Sequence, residues 1–218
     1  MKNQSEAIRY LVQAWPHIVS EVRLVLGSEL HYQAMVYHCL RTYGGVPLEQ
    51  IGMNVKMWID DPVSDLFREL DARKHENFRG GFEPIPDVCL FSRRIKSDWR
   101  RRNAECTMAA LLLAIEVKAS ERQGARLRSG EIIRDINKLA AHRQEAQQRN
   151  ASFVPVMMVI DTAPTPEERM TSWALSESRE ACKEVSVEFM YVSPTEHSCS
   201  LVGGNKERKL RTDNDFHE

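Results

Sequence analysis

Glu116 and Lys118 stand two apart in Leu111-Leu112-Leu113-Ala114-Ile115-Glu116-Val117-Lys118-Ala119-Ser120, a run that is otherwise apolar or small. A carboxylate and an ammonium in a low-dielectric strand are tolerable only if paired, metal-bound or open to a wet cleft. Side chains alternate faces along a pleated strand, so Glu116 and Lys118 share one side with Ala114 while Ile115 and Val117 take the other. Upstream, the short apolar run Phe82 to Phe91 carries Asp87 directly after Pro86, and this aspartate is the natural partner of the pair. Asp87 and Glu116 can supply the one or two carboxylates that a hard cation such as Mg²⁺ takes beside water.

Composition bounds the rest. The 218 residues suffice for one substantial core, no Pro/Gly/Ser-rich linker divides them, and the net charge of −1 excludes a globally basic nucleic-acid binder. Cys39, Cys89, Cys106, Cys182 and Cys199 are widely spaced without a C-x-x-C pair, against a disulfide framework or structural zinc and in favour of a reducing interior. No apolar stretch approaches the roughly 20 residues of a membrane span and no leader pattern opens the chain, so a soluble, cytoplasmic protein without membrane contact is expected.

The elements that would position the acids follow from periodicity. Residues 5–26 read as a helix pair interrupted at Pro16, and Ser28 is an N-cap for a helix to about Thr42 with Leu30, Ala34, Tyr37 and Leu40 or Arg41 on one face. Ile51–Ile59 reads as a strand and Asp60–Gly81 as a loop with a helical turn around Ser64–Arg73; Gly80-Gly81 marks a turn. After the Asp87 and Glu116 strands, an amphipathic helix spans about Glu131–Arg149 with Ile132, Ile133, Ile136, Leu139, Ala140 and Arg143 inward. Asp135, Lys138 and His142 lie on a neighbouring face, where Asp135 and Lys138 read as an ordinary surface pair. Phe153–Ile160 reads as a strand covered on both faces, Thr165-Pro166-Glu167-Glu168 as a capping box opening a helix to about Lys183, and Val185–Val192 as a last strand. From Gly203 the polar tail is too poor in apolar residues to pack.

With this order, Pro86-Asp87 on one strand and Glu116-Val117-Lys118 on the next, between a helix bearing Glu29 and an amphipathic helix, the chain resembles the PD-(D/E)xK nuclease superfamily over roughly Ser28 to Ile160. The resemblance implies an α/β fold with a restriction-endonuclease-like αβββαβ core, about residues 28–162, in which helices flank a central mixed sheet. The helical segment 1–27 and the helix and strand at 163–192 would be additions, making 1–202 a single domain. It implies a Mg²⁺-dependent DNA endonuclease, Mn²⁺ substituting, in which Asp87 and Glu116 bind metal and Lys118 positions the attacking water. Glu29 is the best match for the glutamate that many members carry on the first helix, with Glu21 as its rival. Two-fold cutting of a duplex implies a homodimer. The alternative is a catalytically silent nucleic-acid-binding or assembly module on the same fold.

Local basic stretches must then hold the polyanion. Arg93, Arg94, Lys96, Arg100, Arg101 and Arg102 lie between the two acid-bearing strands with Trp99 among them, and Arg122, Arg126 and Arg128 follow the Lys118 strand. Both loops are expected to leave the sheet beside the acids and grip phosphates. Competing motifs are weaker. Ala114-Ile115-Glu116-Val117-Lys118 echoes a kinase strand without a Gly-rich loop, and His31 and His38 lack an H-E-x-x-H.

Overall fold

The computed structural model describes residues 1–76 and 79–202, so the polar tail from Gly203 lies outside the described residues. Helix α1 (Gln4–Val22) begins at Asn3, whose side chain accepts from the Glu6 N–H. It runs through Pro16 unbroken. Leu11, Ala14 and Trp15 before the proline and Ile18, Val19 and Val22 after it are all buried, and their burial outweighs the one backbone bond that proline removes. Helix α2 (Glu29–Thr42) starts at the expected cap, Ser28 accepting from the His31 N–H. Its inner stripe differs from the expected one. Tyr32, Gln33, Val36, Cys39 and Leu40 face inward, and Leu30 is exposed.

Strand β1 (Ile51–Met53) is short because Asn54 turns into the left-handed region, φ 50°. The expected strand to Ile59 therefore splits, and its end becomes β2 (Ile59–Asp60), which pairs antiparallel with β3 (Gly81–Phe82) in a separate two-stranded sheet. Gly81 is required there, since a Cβ would fall 2.5 Å from the Ile59 carbonyl oxygen. Between β2 and β3, helix α3 (Asp65–Ala72) buries Phe67, which stacks on Phe82 at 4.2 Å.

Strand β4 (Val88–Phe91) leads through the basic stretch and helix α4 (Ala104–Ala110) to β5 (Leu111–Ala119). Helix α5 (Ser129–Gln148) then crosses to the fully buried β6 (Val154–Ile160), and α6 (Ser172–Glu184) crosses to β7 (Glu188–Val192), followed by β8 (His197–Cys199). Helix α6 opens at Thr171, whose side chain accepts from the Ala174 N–H, and not at the expected Thr165 box. The buried Asp161 draws back the Met170 N–H at 2.9 Å, so residues 161–170 close a loop before the helix can start. Trp173, next to the cap, is exposed.

The main sheet has the order β1-β4-β5-β6-β7-β8, antiparallel from β1 to β5, parallel from β5 to β7, and antiparallel again at β8. It is thus an α/β fold with a six-stranded mixed sheet flanked by helices. Ile115, Val117 and Ala119 pack with α1 and α2 on one face, and Ala114, Met157 and Val159 with α5 on the other. The five cysteines are free, and among the described residues no helix is long and apolar enough to cross a membrane.

Candidate active site

Antiparallel pairing of Val88 with Ile115 puts Asp87 beside the C-terminal part of β5. One Asp87 oxygen, Oδ2, accepts from the Val117 N–H at 2.7 Å, which ties the aspartate to the backbone between Glu116 and Lys118. Asp87 is buried, and that burial pushes its pKa up to about 7, with Glu29 and Asp135 adding to the rise and the Val117 amide and Lys118 opposing it. Glu116, pointing to the α5 face, is also held well above the usual carboxylate range, by desolvation first and then by the charges of Asp87 and Asp135. The two carboxyls therefore sit close enough that the charge of Asp87 disfavours ionisation of Glu116.

Lys118 is not left to neutralise them alone. Its Nζ lies 3.1 Å from both oxygens of Glu29 and 3.0 Å from Asp135 Oδ2. Burial pulls its pKa down, but these two carboxylates more than offset that and keep the ammonium form favoured. Glu29 is the first residue of α2, and its own N–H donates to Glu121 Oε2 at 2.6 Å. Glu21 is turned away, accepting from Cys39 Sγ, so Glu29 is the helix acid that reaches this cluster.

Asp135 departs furthest from what the sequence suggests. It is buried on the inward stripe of α5 with Ile132, Ile136, Leu139 and His142, and it binds Lys118 as well as Lys138, the latter at 2.8 Å. Paired only with its i+3 neighbour it looks like a surface residue; placed on the stripe with Ile132 and Leu139 it stands out as a buried acid. His142, inward on the same stripe, is equally inconspicuous in the sequence; both its ring nitrogens are buried without a partner.

Comparison of the chain with family models, curated proteins and solved structures returned no match. What the site can do must be read from its own groups. Among the described residues no group of three or more His, Cys, Asp and Glu side chains is placed to hold a metal ion. Asp87 and Glu116 are a pair of oxygen donors, the number that a hard cation can take from a protein while water completes its shell.

The basic stretches divide. The Arg122–Arg128 loop leaves β5 at the acid cluster and walls a cleft of about 240 Å³ with Glu29, Lys118 and Glu131. Arg122 is 3.6 Å from Glu131, and Arg126 donates to the Glu167 carbonyl. The stretch from Arg93 to Arg102 leaves instead at the opposite end of the hairpin, where Phe91 faces Leu111, contrary to the expectation that both loops flank the acids. Arg100 there grips Asp98 through two 2.7 Å bonds, and Arg101 binds Glu83 at 2.6 Å. Trp99 stacks on the core residue Phe91, with ring centroids 6.1 Å apart. Arg93, Arg94, Lys96 and Arg102 are exposed.

Proposed function

We propose that this protein is a metal-dependent nuclease that hydrolyses phosphodiester bonds of DNA, built on a core like that of the PD-(D/E)xK enzymes. The observation that carries the reading is the Asp87–Glu116 pair: a buried carboxyl just before β4 and a half-buried one on β5, each raised in pKa, with the adjacent lysine already engaged by two other acids. Uncompensated buried acids are costly and concentrate at functional sites. Asp87 and Glu116 would hold Mg²⁺ or Mn²⁺. The bound ion supplies a water of lowered pKa and neutralises phosphoryl oxygen.

The chain's own residues then have separate tasks. The Val117 N–H fixes the Asp87 carboxylate in one orientation. Lys118, kept protonated, cannot serve as the base; its Nζ donates hydrogen bonds, orienting the attacking water and stabilising charge that develops on the phosphorus-bound oxygens. Glu29 and Asp135 hold that ammonium in place from two helices. Arg122 and Arg126, which line the cleft with Glu29 and Lys118, would meet neighbouring phosphates.

Incubation of supercoiled plasmid and linear duplex with the protein and Mg²⁺ or Mn²⁺ tests the proposal. Wild type should nick in the presence of the metal and lose this activity in chelator, and Asp87→Ala and Glu116→Ala should each abolish it while the far-ultraviolet dichroism remains unchanged. Full activity in either variant refutes the site. Retarded migration of DNA without any cleavage, under all metals, would assign the silent binding module instead.

A further inference from the structure

On the α5 side of Glu116 a second cleft, of about 240 Å³, opens between the β2–α3–β3 insertion and α5. Its walls are Phe67 and Phe82 from the insertion, the Pro84–Pro86 segment that leads into Asp87, and Leu139 and His142 from α5; Glu116, Lys138 and Glu83, the last paired with Arg101, complete it. The cleft is far larger than the ~15 Å³ a single bound water requires. It is smaller than the roughly 300–1,000 Å³ of clefts for drug-sized ligands. A single ring system is the occupant of matching size. Two prolines in the segment fix its φ angles, so that wall is preformed.

His142 gives the occupant's chemistry. Its side chain is 1% exposed and both ring nitrogens lack a hydrogen-bond partner, although the ring lines the cleft and lies 4.8 Å from Phe153. Burial lowers its pKa to about 3, leaving a neutral imidazole with one donor and one acceptor. Buried polar atoms are ordinarily satisfied, and an orphan pair in an aromatic and proline-lined wall is the signature of a missing partner with a flat apolar face and a polar edge. Glu116 belongs both to this cleft and to the acid pair, so an occupant of the cleft lies beside the site proposed above for the reacting phosphate.

We propose that this cleft receives one unstacked nucleobase of the substrate strand, its face against the aromatic wall and its edge on the His142 ring nitrogens. The inference rests on the nuclease reading above for the identity of the substrate. It adds that the protein reads or requires an unpaired base at one fixed register from the scissile bond, which favours single-stranded, mismatched or distorted DNA over perfect duplex.

Oligonucleotides that differ only in the position of one abasic nucleotide, and a second set with 2-aminopurine walked through the same positions, test this. Mg²⁺-dependent cleavage should fall by about tenfold or more at one register only, the size expected when one base no longer stacks on an aromatic wall. Emission of 2-aminopurine bound in chelator should change at that same register. His142→Phe keeps the ring shape and removes both nitrogens, and Ile85→Trp enlarges a side chain already 41% exposed in the cleft lining; either should erase the register dependence. Cleavage that is equally sensitive at every position, or a register dependence unchanged in both variants, overturns the base cleft and leaves the nuclease reading standing. Register-dependent emission with no cleavage under any metal supports the cleft and overturns the nuclease reading. Failure of every oligonucleotide to bind overturns both.

Discussion

Asp87 is a carboxylic acid placed where ionisation is penalised, and this makes the metal-free fold sensitive to pH in a definite direction. A group whose folded pKa, here about 7, exceeds its unfolded value stabilises the fold fully below about pH 4, and the contribution is lost as pH rises through 7. Asp87→Asn retains an oxygen for the Val117 N–H and carries no charge to bury. In chelator, the variant and wild type should therefore unfold alike near pH 4, and the variant should be the more stable by about 2–4 kcal/mol at pH 8. Denaturant titrations at the two pH values measure this, and parallel behaviour would show that the carboxyl is ionised without penalty. Asp87, Glu116, Lys118 and Glu29 are all legible in the sequence because a charge in an apolar run, or at the cap of a neighbouring helix, is an outlier in one dimension. Asp135 and His142 are not: on an amphipathic helix a polar residue is unremarkable until its angular position is compared with the apolar stripe.

At the scale of elements, the insertion from Asn54 to Pro86 packs Val55, Met57, Ile59 and Phe67 into the core and is tied to α5 by a buried acid. Glu145 Oε1 accepts from the Val63 and Ser64 N–H groups at 2.9 and 2.7 Å, and Oε2 from Arg149 at 2.7 Å. Burial disfavours its charge, but these donors outweigh that and hold its pKa below the ordinary value. Glu145→Ala should cost about 2–4 kcal/mol, since the amides it satisfies become unpaired. Hydrogen exchange should accelerate first in α3, with β5 and β6 protected; uniform acceleration would mean that the insertion and the sheet unfold as one. The insertion is only half visible in the sequence. The helical turn at Ser64–Arg73 is expected, but the split of Ile51–Ile59 depends on a left-handed Asn54 that alternation of apolar residues does not reveal. The start of α6 escapes sequence reasoning for a related reason, a tertiary hydrogen bond from Met170 to Asp161 overriding a local capping box.

Over the whole molecule, the layered α/β order is readable because buried strands and amphipathic helices alternate along the chain, whereas the direction in which each basic loop leaves the sheet depends on pairing register. That register now ranks the arginines. Replacing Arg122, Arg126 and Arg128 with alanine should flatten the slope of log K against log salt by about 0.9 for each phosphate that is no longer neutralised. Replacing Arg100 and Arg101, which already neutralise Asp98 and Glu83, should change it less. The reverse ranking would move the DNA path to the Phe91–Leu111 end of the hairpin.

The sheet's margins carry a last consequence. Both outer strands of the main sheet, Ile51–Met53 and His197–Cys199, are three residues long, while the nine-residue Leu111–Ala119 lies inside it, paired with β4 over Leu111–Ile115 and with β6 over Leu113–Ala119. A long bare margin would invite strand-by-strand joining of molecules into fibrils, and margins this brief offer a newcomer too few backbone hydrogen bonds to hold it. The very apolar sheet thus offers little bare backbone at its two margins.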